Sequence, residues 1–353
     1  MSSVDDYKAQ IADILLAWGM PADHAEISAE ALTWAGLRGV DSHGISMLTE
    51  YDPRRKAGRL DLKATPAVVH ETPGSALIDG RGGMGHPAYR LAVDIAVAKA
   101  KAIGIGAVAV RNSAHYGALG HYTELAALQG LIGLGTTSVT GVVVAPTGGK
   151  QARLGTDPLS FAAPMAGGPP FVLDMATTTV AKGRIRNRSN EGQPCPPGWI
   201  LDREGRPATD PDEALTGGGF LTSLGGTPEN ASHKGYGLAT MVNILSSSLS
   251  GATLITDPMH LKQPSGLDQG HFFMAMSPAL FRPQEDFEQS VGELVAALRG
   301  TPPLDPARPV QVAGDPERAT MARRLQDGIE IAPGLKARLK AIAAESGARW
   351  RLD

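Results

Sequence analysis

The chain predicts an α/β fold, and three observations carry that expectation. From residue 67 to residue 174, short apolar runs bounded by glycine alternate with longer amphipathic segments, the grammar of strands joined through helices. Glycine at 43 and proline at 26 are too many for a helical bundle, while aromatics make up only 5%, which suits a protein with many tight strand-to-helix turns. The 353 residues also exceed what one compact core usually organises, so two lobes, or one large lobe with an appended helical part, are expected.

The elements follow in order. Residues 5–18 predict a helix with Ile11, Leu15 and Leu16 on one face, and residues 21–37 and 44–57 predict two more. Pro21 suits a first helical turn, Ser42 can cap the third helix, and Gly58 can end it in a left-handed conformation. Strands are expected at residues 76–79, 106–110, 132–136, 141–145, 161–164 and 171–174, with helices at 86–102 and 119–129 between them. Residues 187–230 lack sustained periodicity and read as a long connecting excursion. A strong helix is expected at 235–249, with Leu238, Met241, Val242 and Leu245 on one face, then amphipathic helices at 285–298 and 316–328 and a charged one from Pro333.

Composition narrows the function. A formal charge of −3 with both signs interspersed gives no basic face for nucleic acid and no polybasic run for anionic lipid, so the expected partner is a small molecule. The single cysteine, Cys195, has no internal partner for a disulfide and fits a reducing compartment. No apolar stretch is long enough to span a bilayer, and residues 1–8 are polar and acidic, so a cytoplasmic location is expected.

Five segments carry candidate chemistry. Residues 80–85, GRGGMG, formally match GxGxxG between a strand and a helix, but the next strand ends in Arg111 and Asn112 where a dinucleotide fold needs an acid for the ribose. A plain glycine turn is the better reading. Asp41-Ser42-His43-Gly44 places an imidazole beside a hydroxyl and a carboxylate at a helix mouth, where exposed NH groups lower its pKa and Asp41 raises it, poising the ring for proton transfer. The alternative is a serine cap with an incidental histidine. After the strand at 106–110 come His115, Tyr116, Gly117, Ala118 and Leu119, whose small residues let backbone NH groups approach an anion at the carboxyl end of a strand. His121 reads as a helix-surface residue. A second strand ends in Asp174, Met175 and Ala176, where the carboxylate is either a ribose acceptor or a helix cap. His233 and Lys234 put a cation at a helix start, a phosphate clamp or a solvated lysine.

Taken together, DSHG, residues 106–119 with HYGAL, GTDP at 155–158, LDMATT at 173–178 and HKGYGLA at 233–239 resemble the type-2 malate/L-lactate dehydrogenase family in order and over nearly the whole chain. The resemblance implies a non-Rossmann nicotinamide-binding α/β domain at 67–284, and a helical part for substrate and dimerisation built from residues 1–66 and about 285–353. It implies a homodimer, NAD or NADP as cofactor, a small carboxylate substrate and no metal. By position it makes His43 the proton donor, Ser42 its hydrogen-bonded neighbour, and His115 an acid/base or cofactor group. It makes Tyr116 to Leu119, Asp174 to Ala176, His233, Lys234, Gly314 and Asp315 nucleotide contacts, and Thr156 a substrate contact.

Two departures from the pattern matter. Where most members carry an arginine that grips the substrate carboxylate, this chain has Met47, so another arginine must substitute or the substrate differs; Arg54, Arg55, Arg184 and Arg186 are the candidates. Where the imine-reducing members carry an aspartate, this chain has Arg184, which favours hydroxy-acid chemistry. The expected reaction is hydride transfer between the nicotinamide and a 2-oxo or 2-hydroxy acid, with the nicotinamide between the Asp174 segment and the HKGYG helix start. Cyclic-imine or ketimine reduction, a nucleotide-binding protein with impaired catalysis, and a metal hydrolase using His43, His86, His115 and Asp41 are the alternatives.

Overall fold

The computed structural model describes residues 1–257 and 268–352. It opens on the three expected helices, α1 (Val4–Ala17), α2 (Ala22–Leu37) and α3 (Leu48–Lys56). Ser3 caps α1 by accepting from the Asp6 amide, Pro21 stands directly before α2, and Gly58 follows α3 with a φ of 68°. The third helix starts later than the pattern suggested, because Asp41–His43 and Ile45–Met47 are two short 3-10 turns. Ser42 does not cap it. Instead the fully buried Tyr7 of α1 accepts the Ile45 amide at 2.8 Å, so a side chain nearly forty residues away fixes the turn that carries His43.

The sheet comes next in the chain. β1 (Ala67–Glu71) and β2 (Ser75–Asp79) form an antiparallel pair, α4 (Gly85–Ile103) leads to β3 (Ile105–Ser113), and α5 (Leu119–Ala127) leads to β4 (Ile132–Thr137). Then come β5 (Leu159–Ala163) and β6 (Phe171–Met175). Residues 141–145, expected as a strand, make only isolated bridges from Val144 to Leu154 and Leu221. The expected excursion at 187–230 is structured. α6 (Lys182–Asn190), β7 (Ile200–Leu201), β8 (Pro207–Ala208), α7 (Pro211–Leu215) and β9 (Phe220–Leu221) build a three-stranded antiparallel sheet, ordered β8-β7-β9. It closes over a small apolar core of its own that includes Val180, Ile185, Cys195, Ile200 and Leu221.

α8 (His233–Asn243) continues into a π turn at Ile244–Ser248, and β10 (Gln269–Met276) then enters the middle of the main sheet. The order β1-β2-β3-β10-β4-β5-β6 has one parallel contact, β2 with β3; β10 runs antiparallel to both β3 and β4. This is α/β but not a Rossmann sheet, and residues 80–85 are a turn that does not line the cleft described below. β10 packs without a gap, since a Cβ on Gly270 would lie 2.0 Å from the Ser246 carbonyl oxygen of the π turn.

The chain ends on α9 (Gln284–Arg299), α10 (Asp315–Asp327) and α11 (Pro333–Ser346). One apolar core joins Tyr7, Ile11, Ile14 and Leu15 of α1, Leu48 and Tyr51 from α3, and Leu339 and Ala343 of α11, with Ile329 and Leu352. At roughly 1.5–3 kcal/mol for each fully buried large apolar side chain, that core is what attaches the end of the chain to its beginning. α9 lies elsewhere, tied to the main sheet by Gln284 bonding the Gly130 carbonyl and by the Ala166 amide bonding Glu288.

Candidate active site

A cleft of about 970 Å³ opens at the carboxyl ends of β3, β4 and β6, where the direction of the three strands leaves their following loops on one edge. The loop after β3 brings His115 to Leu119, the end of β6 brings Asp174 to Ala176, and Thr156 precedes β5. The 3-10 turn of DSHG closes one wall with Ser42 and His43, and Gly314 at the start of α10 closes another. Segments far apart in sequence therefore meet in one concavity.

His43 is half-buried in the cleft wall, with Nδ1 2.8 Å from the Ser42 hydroxyl and its ring centroid 5.5 Å from that of His115. Its pKa is lowered, and the cause is desolvation. The expected pull of Asp41 is absent, because both carboxylate oxygens of Asp41 bond Arg324 of α10 at 2.5 and 2.9 Å. Arg324 also bonds the Gly36 carbonyl, so the end of the chain clips the DSHG turn onto α2.

The surroundings of His115 settle its tautomer. Its Nδ1 accepts the Gly117 amide at 3.2 Å and lies 2.7 Å from the hydroxyl of the fully buried Tyr51. An atom that accepts from an amide carries no proton, so Tyr51 donates as well and the neutral ring bears its hydrogen on Nε2. Burial holds the His115 pKa well below its ordinary value, with His43 and Arg54 acting in the same direction. His115 is thus a neutral imidazole with its donor hydrogen on Nε2. His121, expected on a helix surface, is instead buried beside Trp34 and lowered to about 3 by desolvation.

Of the four arginine candidates only Arg54 lines the cleft. It is half-buried and makes no side-chain hydrogen bond or ion pair with any described residue, whereas Arg55 is held by Asp52 at 2.6 Å and stacks on Trp18. Arg184 and Arg186 are exposed on α6, outside the cleft wall, so the charge of Arg184 says little about the substrate. Met47 is 9% exposed and belongs to the helical core.

Asp174 lines the cleft, and the cap reading of it holds: its Oδ2 accepts the Gly120 amide in the first turn of α5 at 2.7 Å. Gly120 allows this close approach, since a Cβ there would lie a tight 3.1 Å from both Asp174 Oδ2 and Trp34. Burial raises the Asp174 pKa to about 6. His233 and Lys234 are exposed at the start of α8 and are not part of the cleft wall. Asp315 is also outside it. Its carboxylate is committed to Arg299, Arg318 and the Val312 amide, and so folds the turn that presents Gly314.

Sequence reasoning missed Trp34, Arg38, Glu124, Lys182 and Glu317, all of which line the cleft. Trp34 in the last turn of α2 and Arg38 just past its end both bond Glu124 of α5, Trp34 at 2.5 Å and Arg38 at 2.8 and 3.1 Å. Nothing local in the sequence links them. The cleft suits a dinucleotide in size, in its small-residue loop at 117–120 and in its mixture of apolar and hydrogen-bonding walls. Among the described residues no group of three or more His, Cys, Asp or Glu side chains comes together as a metal-ligand set.

A sequence profile described as malate/L-lactate dehydrogenase matches residues 2–340. The chain belongs to that family. As a malate/L-lactate dehydrogenase family member it is an oxidoreductase of small hydroxy and oxo acids that uses NAD or NADP. It is 36% identical to a malate dehydrogenase of Pyrococcus abyssi over 98% of this chain and 94% of that protein. It is 31% identical to a Delta(1)-pyrroline-2-carboxylate reductase of Pseudomonas fluorescens over 94% of this chain and 96% of that one. In structure it is similar to a malate dehydrogenase of Entamoeba histolytica, with a TM-score of 0.93, 33% identity and 99% of each chain covered.

Proposed function

We propose that the cleft interconverts a 2-oxo acid and its 2-hydroxy acid, with His43 as the proton carrier, His115 as a neutral donor to the same substrate and Arg54 as the carboxylate anchor. The observation that carries this reading is the convergence of two imidazoles 5.5 Å apart and one unpaired guanidinium on a single cleft. Bound NAD(P) supplies the hydride to C2 in reduction and takes it in oxidation. His43 gives a proton to the C2 oxygen in reduction and takes it back in oxidation, and Ser42 fixes the ring that does so. Desolvation favours the neutral imidazole, which suits His43 to be the base of the oxidative direction. Arg54 supplies a forked, permanently charged donor set in place of the arginine that Met47 displaces.

The family also includes a cyclic-imine reductase relative, and the cleft has room for that chemistry. A panel of 2-oxo acids, 2-hydroxy acids and preformed cyclic imines, assayed with both nucleotides, separates the two. Turnover confined to the imines overturns the hydroxy-acid reading.

In the same proposal, residues 67–284 hold the nucleotide, while residues 1–66 with about 285–353 form the substrate and dimerisation part. The shared core of α1, α3 and α11 supports that division, and α9 on the sheet side qualifies its boundary. A homodimer is supported by an exposed apolar strip of Met241, Ile244, Leu249 and Leu254 along α8 and beyond. Light scattering of the wild type and of Ile244→Asp tests it, and a wild-type monomer rejects it. A cytoplasmic site of action is supported by the lone cysteine, and no described helix is long and apolar enough to cross a membrane. Cell fractionation tests that part.

A further inference from the structure

Two sets of polar residues at the cleft share no hydrogen bond or ion pair among the described residues. One is the reacting set of His43, His115, Tyr51 and Arg54. The other is Trp34 of α2 with Arg38 just past its end, Glu124 of α5, Asp174 of β6, and Glu317 with Arg318 in the first turn of α10. The nicotinamide end of a dinucleotide must reach His43, so the second set is left to face the adenosine half. This step rests on the reading of His43 as the proton carrier.

We infer that this second set selects NAD over NADP, and that Glu317 is the residue that discriminates. A 2′-phosphate needs cationic donors that are free to turn to it, whereas unphosphorylated ribose hydroxyls need acceptors. Both guanidiniums of this set are already engaged, and Lys182 at the start of α6 is the remaining cation of the cleft wall outside the reacting set. Arg38 bonds both oxygens of Glu124 and lies 4.1 Å over the Trp34 ring, and Arg318 bonds Asp315 at 2.8 Å and the Pro170 carbonyl at 3.1 Å. Glu124 pairs with Arg38, and Asp315 is shared by Arg318 and Arg299, so Asp174 and Glu317 are the two carboxylates of the set that no guanidinium pairs.

Of those two, Asp174 is exposed to the cleft but commits Oδ2 to the Gly120 amide. The Glu317 carboxylate is half-buried on the cleft wall, with no hydrogen bond or ion pair to a described residue. Its charge is felt by both Asp174 and Arg38, which places it among them rather than out in solvent. A free acceptor in that position receives a ribose hydroxyl and repels a phosphate on the same carbon. The family's tolerance of either nucleotide leaves this choice to the individual chain.

The test is binding without substrate. NADH and NADPH are titrated into the protein while energy transfer from tryptophan is followed, with Trp34 already on the cleft wall. NADH is expected to bind at least about tenfold more tightly than NADPH, and 5′-AMP to compete better than 2′-AMP. Glu317→Gln should close most of that gap by strengthening NADPH, and Glu317→Arg should reverse it. Equal affinity for the two nucleotides in the wild type, or an unchanged ratio in Glu317→Gln, overturns the assignment while leaving the reaction in place. Failure of both nucleotides to bind removes the cleft as the dinucleotide site, and this inference with it.

Discussion

Arg54→Met is the perturbation that separates the proposed anchoring of substrate from everything else in the cleft. Arg54 has no carboxylate partner in the free protein, so its removal strands no buried counter-charge, and its half-exposed position predicts a stability change within about 0.5 kcal/mol. A bidentate grip on a carboxylate comprises two charge-assisted hydrogen bonds, each worth about 1.5–3 kcal/mol. Their joint loss, discounted because the cleft admits water, is about 3–4 kcal/mol, or roughly 10²- to 10³-fold in kcat/KM. Arg54→Lys keeps a point charge without the fork, so it should lose only about tenfold. The assay is steady-state reduction of a 2-oxo acid at saturating reduced nucleotide, with nucleotide affinity measured separately and expected to hold. Arg184→Met is the control, because that side chain lies outside the cleft wall. If Arg54→Met stays within about threefold of wild type, or Arg184→Met falls as far, the anchor has been misassigned.

His43→Ala should cut kcat by about 10²–10⁴, the usual share of a general acid or base, while the nucleotide dissociation constant stays nearly the same; normal turnover would remove His43 from the mechanism. Tyr51→Phe deletes one donor to His115 Nδ1, which raises the His115 pKa toward its ordinary value. The acid limb of the kcat/KM profile should move to higher pH, with a loss of about 1 kcal/mol, roughly fivefold, at the optimum, and an unmoved profile would show that the hydroxyl only packs. Acid stability follows from the buried groups. His86, His121 and His271 are held at about 3 by burial, against an ordinary value of about 6.5, so below that value the unfolded chain takes up three protons the native state refuses. Asp157, buried and raised to about 6, works the other way, the native state carrying one proton that the unfolded chain lacks until about pH 4. The net of two protons makes unfolding easier by ~2.7 kcal/mol per pH unit from about pH 6 to 4, steepening to ~4 kcal/mol per unit from about pH 4 to 3, with His43 and His115 adding the same sign. Urea midpoints between pH 7 and 3.5 measure this, and a protein that gains stability on acidification to pH 5 contradicts it.

Most single elements were legible because their signals are local. Apolar spacing marks α1, Pro21 marks the start of α2, and glycine-bounded apolar runs mark β2, β3, β4 and β6. What stayed hidden is pairing over distance. β10 carries an apolar run, QGHFFMAM, but nothing in those eight residues states that it will pass between β3 and β4, which come more than 130 residues earlier. Residues 141–145 show the opposite failure. They have the composition of a strand, but they pass along the cleft, where Val144 finds single bridges to Leu154 and Leu221 rather than a ladder. β-propensity reports a fit to a half-buried surface, and such a surface need not be a sheet.

The site divides along the same line. His43, His115, Asp174 and Thr156 were readable because each sits in a short motif where a loop leaves a strand or a turn precedes a helix. The groups that set their properties were not. His43 owes its lowered pKa to burial and not to its neighbour Asp41, since Asp41 is claimed by Arg324 from the far end of the chain. His115 owes its tautomer to the Gly117 amide, with Tyr51 as the second donor, and Arg54 takes a place on the cleft wall seven residues beyond the methionine that replaced the expected arginine. A motif therefore names the atom that can react, while its charge state depends on long-range contacts that the fold supplies. It follows that Arg324→Met, remote from any substrate, should free Asp41 to act on His43, raise that imidazole's pKa and weaken the oxidative direction before the reductive one.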